Sequence, residues 1–150
     1  MKFFSQIEIN APVAVVFENV TKAEKIKQWA TEIKSIEFTE PLNHNNPVGA
    51  KYKQVSASSK GDQYFDGEIL DFKKNEKTSV RLHNFKITST ATYNLSPTAT
   101  GTLLTAEIDM RVHIFIARFF ASLMSGQIQA RIDAQMATLK KLCEKEAGGI

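Results

Sequence analysis

Residues able to do chemistry are few and scattered along this chain. The sequence contains three histidines, His44, His83 and His113, and one cysteine, Cys143. No two histidines are spaced as neighbours on one helix face, and a zinc site takes three or four nitrogen, sulfur or oxygen ligands. We therefore expect no metal site, and the sequence predicts no cofactor.

Strand residues that resemble acid–base groups have a simpler interpretation. Glu107 and Asp109 alternate along an expected strand, on the side opposite its apolar residues, and His83 lies opposite Leu82 in the same way. Side chains of these types on such a face are usually exposed to solvent. The sequence contains neither a glycine-rich phosphate loop nor a G-x-S-x-G motif, so neither a nucleotide-binding nor a hydrolase site is predicted.

The remaining candidates are polar groups on the apolar side of expected strands. Tyr52 and Gln54 share one strand face, and Ser89 and Tyr93 share another. A ligand pocket is mostly apolar, with a few hydrogen-bonding groups that orient the guest. Each aromatic residue also fits the alternative role of a core residue whose polar end bonds to the backbone. Trp29 fits either the entrance of a pocket or the anchor of a short helix.

These groups need elements to position them, and the clearest element lies near the C-terminus. The stretch from about Ile114 to Glu146 contains no proline and one glycine, and it predicts one long helix of about eight turns. Spacings of three and four residues in its second half predict a buried face. That face consists of Ile128, Ile132, Met136, Leu139 and Cys143.

The first half of this helix has a different surface. Phe119, Phe120, Leu123 and Met124 lie on a face rotated by about a third of a turn from the later stripe. Gly126 lies where the pattern changes, and whether the helix bends there stays open. Small side chains also recur at a spacing of four, which permits a close neighbour or leaves room for a guest. That row consists of Ser122, Gly126, Ala130 and Ala134.

The rest of the chain predicts one strand, two short helices and six further strands, in that order. The first strand runs from about Lys2 to Ile9. Asn10 is expected to cap the first helix, with Pro12 in its first turn, and Thr21 to cap the second helix together with Glu24. Short links make neighbouring strands antiparallel. The second strand is expected to end near 41, and the five strands after it to span about 48–57, 63–72, 78–83, 87–95 and 102–112.

An antiparallel sheet must cover its apolar side, and the C-terminal helix carries the only long apolar surface left to do so. The sheet must therefore curve around that helix. Several inward residues of the last strands are small, and they face a helix with its own row of small residues, which predicts close contact or a cavity. Alternation places these residues inward: Val80, Leu82, Ile87, Ser89, Ala91, Tyr93, Leu95, Leu104, Ala106, Ile108 and Met110.

Bulk composition limits the class of protein. The chain has 150 residues, 43% hydrophobic and 23% charged, so we expect a single domain over residues 1–150. The net charge of +3 is small, and basic residues alternate with acidic ones, which disfavours nucleic-acid binding. One cysteine excludes an intramolecular disulfide, and neither a signal peptide nor a transmembrane segment is predicted. We therefore expect a cytoplasmic protein.

Three stretches carry a family resemblance: INAPVAVVFENVTKAEKIKQWATEIKSIE, YNLSPTATGTLLTAEI and IDAQMATLKKLCEKE. An APV..VF start, a tryptophan closing the second short helix, a GT turn before the last strand and an L..LK...E helix end occur in that order. This pattern resembles the START-like (SRPBCC) superfamily, in its polyketide cyclase/dehydrase and lipid-transport branch. The resemblance implies an α+β helix-grip fold, with a curved seven-stranded antiparallel sheet around a long C-terminal helix and two short helices between strands 1 and 2.

We predict that the chain binds or transports a small hydrophobic or amphipathic ligand, such as a lipid, a polyketide or an aromatic molecule. The binding is non-covalent, in a cavity between the sheet and the C-terminal helix. The expected lining residues are Trp29, Tyr52, Gln54, Leu82, Ser89, Ala91, Tyr93, Ala106, Ile108, Met110, Phe120, Met124 and Ile128.

Two alternatives stay open. In a polyketide cyclase or dehydratase, Tyr52, Gln54 and Tyr93 would orient a poly-carbonyl chain for condensation by proximity. In a non-enzymatic interaction module, Phe115 and Phe119 would meet a partner or a membrane. The expected partner is a small hydrophobic ligand and not nucleic acid. Peripheral membrane contact, and a monomeric or homodimeric state, stay open.

Overall fold

The computed structural model describes residues 1–148, and its elements follow the order that the sequence predicts. One antiparallel sheet contains all seven of its strands, in the order β1-β7-β6-β5-β4-β3-β2. The predicted helix-grip α+β fold is therefore confirmed. The elements are β1 Lys2–Ile9, α1 Val13–Thr21, α2 Ala23–Trp29, β2 Ile33–Phe38, β3 Lys51–Ser58, β4 Gly61–Lys73, β5 Lys77–His83, β6 Ile87–Pro97, β7 Thr102–Val112, α3 Phe115–Leu123 and α4 Ser125–Gly148.

Helix α4 lies along β1, one edge of the sheet, and runs in the same direction. Near its start, Asp133 Oδ1 accepts a hydrogen bond from Ser5 Oγ at 2.7 Å. Near its end, Glu144 Oε2 accepts one from the backbone N–H of Asn10 at 2.8 Å. The alternating burial of β1 places Ser5 on the inner face of the sheet, so α4 covers that face along the β1 edge.

The packed core lies where α4 meets α1, α2 and the sheet. The sheet contributes the C-terminal part of β6 and the N-terminal part of β7. Four of the five residues of the predicted stripe, Ile132, Met136, Leu139 and Cys143, are buried, as expected from their spacing, whereas Ile128 is only partly buried. Leu104 and Leu139 have no exposed surface at all. The core cluster comprises Ile9, Ala11, Val16, Phe17, Val20, Trp29, Ala30, Leu95, Leu104, Ala106, Met136, Leu139 and Cys143.

The prediction of one continuous C-terminal helix is wrong. Helix α3 ends at Leu123 and α4 begins at Ser125. Between them, Met124 has φ −94° and ψ 6°, and its N–H donates to Phe120 O at 3.0 Å. The break lies where the apolar stripe changes face, since the stripe of α4 is buried whereas Phe119 and Leu123 of α3 are exposed.

The predicted side-chain caps are also wrong, since α1 and α2, both fully described, have no capping hydrogen bond from a side chain. The backbone of Asn10 bonds to Glu144 of α4 instead. Thr21 is the last residue of α1, and its Oγ1 donates to Phe17 O at 2.7 Å. A threonine that bonds back along its own helix cannot cap the next one.

Strand ends shift by a few residues from the predicted bounds. β3 begins at Lys51 rather than near 48, and β4 begins at Gly61 rather than 63. Gly61 has φ 107°, which a residue with a side chain rarely adopts, so the glycine permits the tight turn between β3 and β4. Within residues 1–148, none of the helices has the length and hydropathy required to cross a membrane.

Candidate functional site

A large open cavity separates the inner face of the sheet from the helices. Its volume is about 2450 Å³, well above the roughly 300–1000 Å³ of sites for drug-sized ligands. Strands β2 to β7 supply its floor, and residues of all four helices stand around it. The cavity is therefore large enough for a long or polycyclic guest.

The structure brings together all but one of the residues predicted to line a cavity. Ala106 is the exception, because it is 1% exposed and packs in the core cluster. Their role in binding a ligand remains a prediction. The residues found in the lining are Trp29, Tyr52, Gln54, Leu82, Ser89, Ala91, Tyr93, Ile108, Met110, Phe120, Met124 and Ile128.

Neighbouring pairs on β6 and β7 show where the core ends and the cavity begins. Leu95 lies opposite Leu104, and both belong to the core. Further along, Ala91 lies opposite Ile108, and both line the cavity. Because the small residue Ala91 cannot fill the space beneath the helices, the wall recedes at this end of the sheet.

Tyr52 and Tyr93 supply two phenol groups to the wall. Burial raises the pKa of Tyr93 to about 12, and the negative charge of Glu32 adds to the effect. Burial, followed by the nearby phenol of Tyr93, also raises the pKa of Tyr52. Both side chains therefore stay protonated at neutral pH, so each can donate a hydrogen bond to an oxygen atom of a guest.

The Tyr52 ring lies over Gly67 on the neighbouring strand. A Cβ atom at Gly67 would come within 2.2 Å of Tyr52 Cε2, so only glycine leaves room for the ring in this position. Gly67 was not among the predicted site residues. The alternation of Phe65, Gly67 and Ile69 along β4 places it on the inner face and is the signal that could have found it.

Trp29 both lines the cavity and anchors α2. Its Nε1 donates to Asn19 O of α1 at 2.9 Å, and the residue is only 5% exposed. Its ring meets Tyr93 edge-on, with 6.1 Å between ring centroids. The indole therefore supports one of the phenols and does not stand free at an entrance.

Polar groups on the helix side of the cavity were not among the predicted site residues. Gln135 Nε2 donates to both carboxylate oxygens of Glu32, at 2.7 and 2.9 Å, and Arg131 also lines the cavity. On the sheet side, Gln54 Nε2 donates to Ser56 Oγ at 3.1 Å. Ser56 continues the Tyr52 and Gln54 face by alternation, whereas Glu32 lies just before β2, where no periodic pattern predicts its direction.

His44 is among the residues around the cavity, whereas the other candidate groups lie away from it. His83 and His113 are exposed, and their rings share the Thr88 hydroxyl at 2.7 Å each. Glu107 and Asp109 are exposed, as their alternation predicts. Within the described part of the chain, no cluster of three or more histidine, cysteine or acidic residues could hold a metal ion.

Cys143 is fully buried in the core, and burial raises the pKa of its thiol to about 12. The thiolate is the reactive form of cysteine. Cys143 is therefore a packing residue and not a nucleophile.

Residues 1–144 match a family model described as polyketide cyclase/dehydrase and lipid transport. No curated protein matches the sequence. Many solved structures share its fold, and three of them serve as examples. Protein MLL2253 from Mesorhizobium loti is 20% identical with a TM-score of 0.68, over 95% of this chain and 96% of that one. NE0264 from Nitrosomonas europaea is 17% identical with a TM-score of 0.70, over 99% and 97%.

The third, TTHA0849 from Thermus thermophilus, is 14% identical with a TM-score of 0.72, over 94% and 95% of the two chains. At such low identities these structures show the fold alone. The match to the family model covers nearly the whole sequence, with the cavity residues inside it. The chain belongs to the polyketide cyclase/dehydrase and lipid transport family, within the START-like superfamily.

Proposed function

We propose that this protein binds and carries a small apolar or amphipathic molecule without covalent chemistry. The open cavity of about 2450 Å³, with its largely aliphatic and aromatic wall, is the observation that supports this function most strongly. Its family includes lipid-transport proteins by description. Suitable guests are lipids, polyketides and polycyclic aromatic molecules.

Apolar burial supplies most of the affinity, and the phenols supply the orientation. A guest that buries about 300 Å² of apolar surface gains roughly 7 kcal/mol before its loss of motion is counted. A hydrogen bond from Tyr52 or Tyr93 adds about 1 kcal/mol. The preferred guest therefore has a long apolar body and one or two carbonyl or hydroxyl oxygens.

A matched pair of β6 variants tests this function. Ala91→Phe would fill the cavity from its floor, whereas Thr90→Phe adds the same ring on the opposite face of the strand. With a dansylated fatty acid as the probe, we expect Ala91→Phe to weaken binding more than tenfold and Thr90→Phe to leave it unchanged. Equal affinity in both variants, or no binding by the unmodified protein, would contradict the proposal.

A polyketide cyclase or dehydratase is the second candidate, and the two phenols on one cavity wall favour it. Two fixed donors could hold the carbonyl oxygens of a poly-carbonyl chain so that its reacting carbons approach each other. In that case, Tyr93→Phe abolishes turnover of a poly-β-carbonyl substrate and leaves its affinity largely intact. A carrier shows no turnover in either form.

A further inference from the structure

Helix α3 presents its apolar side chains to solvent. Phe115 is 81% exposed, Ile116 69%, Phe119 65% and Leu123 69%, and no residue of the helix is buried. Contiguous apolar patches of this kind are uncommon on monomeric proteins and mark binding surfaces. The exposed face of α3 is therefore a candidate binding surface.

The hairpin between β5 and β6 extends the same surface. Phe85 at its tip is 77% exposed. The neighbouring Lys86 O accepts a hydrogen bond from the backbone N–H of His113 at 2.8 Å, which holds the hairpin beside the start of α3. Five exposed residues form what we call the apolar rim: Phe85, Phe115, Ile116, Phe119 and Leu123.

The charges beside the apolar rim are positive. Lys86 and Arg118 are exposed, and the stretches 77–106 and 110–132 contain no aspartate or glutamate. Lys86 Nζ lies 5.4 Å from the centroid of the Phe85 ring. Arg118 Nε donates to Val112 O at 3.1 Å, which keeps the guanidinium close to the start of α3.

Carboxylates near this end of the sheet are largely engaged elsewhere. Asp62 pairs with Lys34 at 2.9 Å, and Asp66 pairs with Lys53. Asp109 lies on the outer face of β7, opposite Lys2 of β1. The rim therefore combines apolar side chains with uncompensated positive charge.

We propose that the apolar rim docks the protein on the surface of an anionic lipid bilayer. Apolar side chains enter the boundary between headgroups and acyl chains, while Lys86 and Arg118 meet anionic headgroups. Helix α3 has 9 residues, far fewer than the roughly 20 that span a bilayer, so it lies in the interface. A second copy fits less well, because a two-fold interface would bring like charges of both copies together.

Docking through this rim would bring the cavity to the lipid surface. Ala117, Phe120, Ala121 and Met124 belong to α3 or its end, and all four line the cavity. One side of α3 thus faces the cavity while the other forms the rim. The inference extends the proposed function toward exchange with membranes, but docking itself requires no cargo.

Co-sedimentation of the full chain with vesicles tests the inference. One set of vesicles contains phosphatidylcholine alone, and the other also contains phosphatidylglycerol. We expect strong binding to the anionic vesicles, weak binding to the neutral ones, and release by salt. Phe119→Asp should weaken binding at least tenfold, and Arg118→Gln about fivefold.

Phe4→Asp is the matched control, since Phe4 is 54% exposed on the outer face of β1, and it should bind as the unmodified protein does. Absence of vesicle binding, or equal loss in the Phe4 and Phe119 variants, would overturn the inference. So would an unmodified dimer that ignores vesicles and that Phe119→Asp makes monomeric. Binding of the dansylated fatty acid, measured on the same variants, reports separately whether the cavity function fails.

Discussion

The two ends of the sheet's inner face differ, although β6 and β7 run through both. At one end, Leu95 and Leu104 pack under Leu139 of α4 in a closed core. At the other, Ser89 lies opposite Met110, and both face the cavity. The strands alternate in the same way at both ends. The two ends differ in side-chain size and in whether a helix packs directly against the sheet. These two differences determine which end forms the core and which forms the cavity.

This difference separates stability from binding. The closed end buries large side chains and supplies the hydrophobic free energy of folding. The open end leaves apolar surface without a partner, which costs stability that a guest can restore by binding. Changes at the closed end should therefore alter the free energy of unfolding, and changes at the open end should alter affinity.

The largest expected effect comes from Leu139→Ala at the closed end. Leu139 is fully buried, so its truncation should lower the free energy of unfolding by about 2–5 kcal/mol. Met110→Ala at the open end removes a side chain that already faces space, and we expect less than about 1 kcal/mol. Urea denaturation of both variants measures the contrast, and similar losses would refute the division between the two ends.

A smaller effect is expected from Gly67→Ala, which tests how the open end is shaped. The added methyl would lie 2.2 Å from the Tyr52 ring and must displace it, so we expect a loss of about 1–3 kcal/mol and weaker probe binding. Gly126→Ala is the control, because nothing lies within 4 Å of its added Cβ. That helix substitution should stabilise the fold by up to about 1 kcal/mol. Unchanged stability and affinity in Gly67→Ala would show that the ring position does not matter.

The smallest effect concerns alkaline pH and Tyr93. Burial raises its pKa from 10.0 to about 12, so the folded state holds its proton where the unfolded state has lost it. The free energy of unfolding is therefore unaffected below pH 10 and falls as pH rises toward 12, by up to about 2 kcal/mol. Tyr93→Phe should show a shallower fall in urea denaturation between these pH values. An identical slope in both proteins would contradict the burial of this phenol.

Local periodicity predicted much of the architecture. The bounds of β1 and β7 and the buried stripe from Ile132 to Cys143 follow directly from alternation and helical spacing, because those patterns depend on neighbours in sequence. The same alternation also predicted several strand residues of the cavity wall, among them Tyr52, Leu82 and Ala91. It placed Ala106 there too. Alternation identifies the face of the sheet on which a residue lies, but not where along the strand a helix covers that face.

Features that depend on long-range packing were not predictable in this way. The break at Met124 falls at neither a proline nor a glycine, so residue type alone did not predict it. The apolar residues of α3 have the composition of a core helix, and only the fold shows that they remain exposed. Gly67 likewise gains its meaning from Tyr52 on another strand.

Native mass spectrometry tests the central claim, that the open end holds an apolar guest. The protein would be incubated with a lipid extract, and its native mass compared with its denatured mass. We expect a discrete excess mass that is lost on denaturation, absent in Ala91→Phe and retained in Thr90→Phe. Equal native and denatured masses after incubation, or an excess mass that Ala91→Phe retains, would contradict the account.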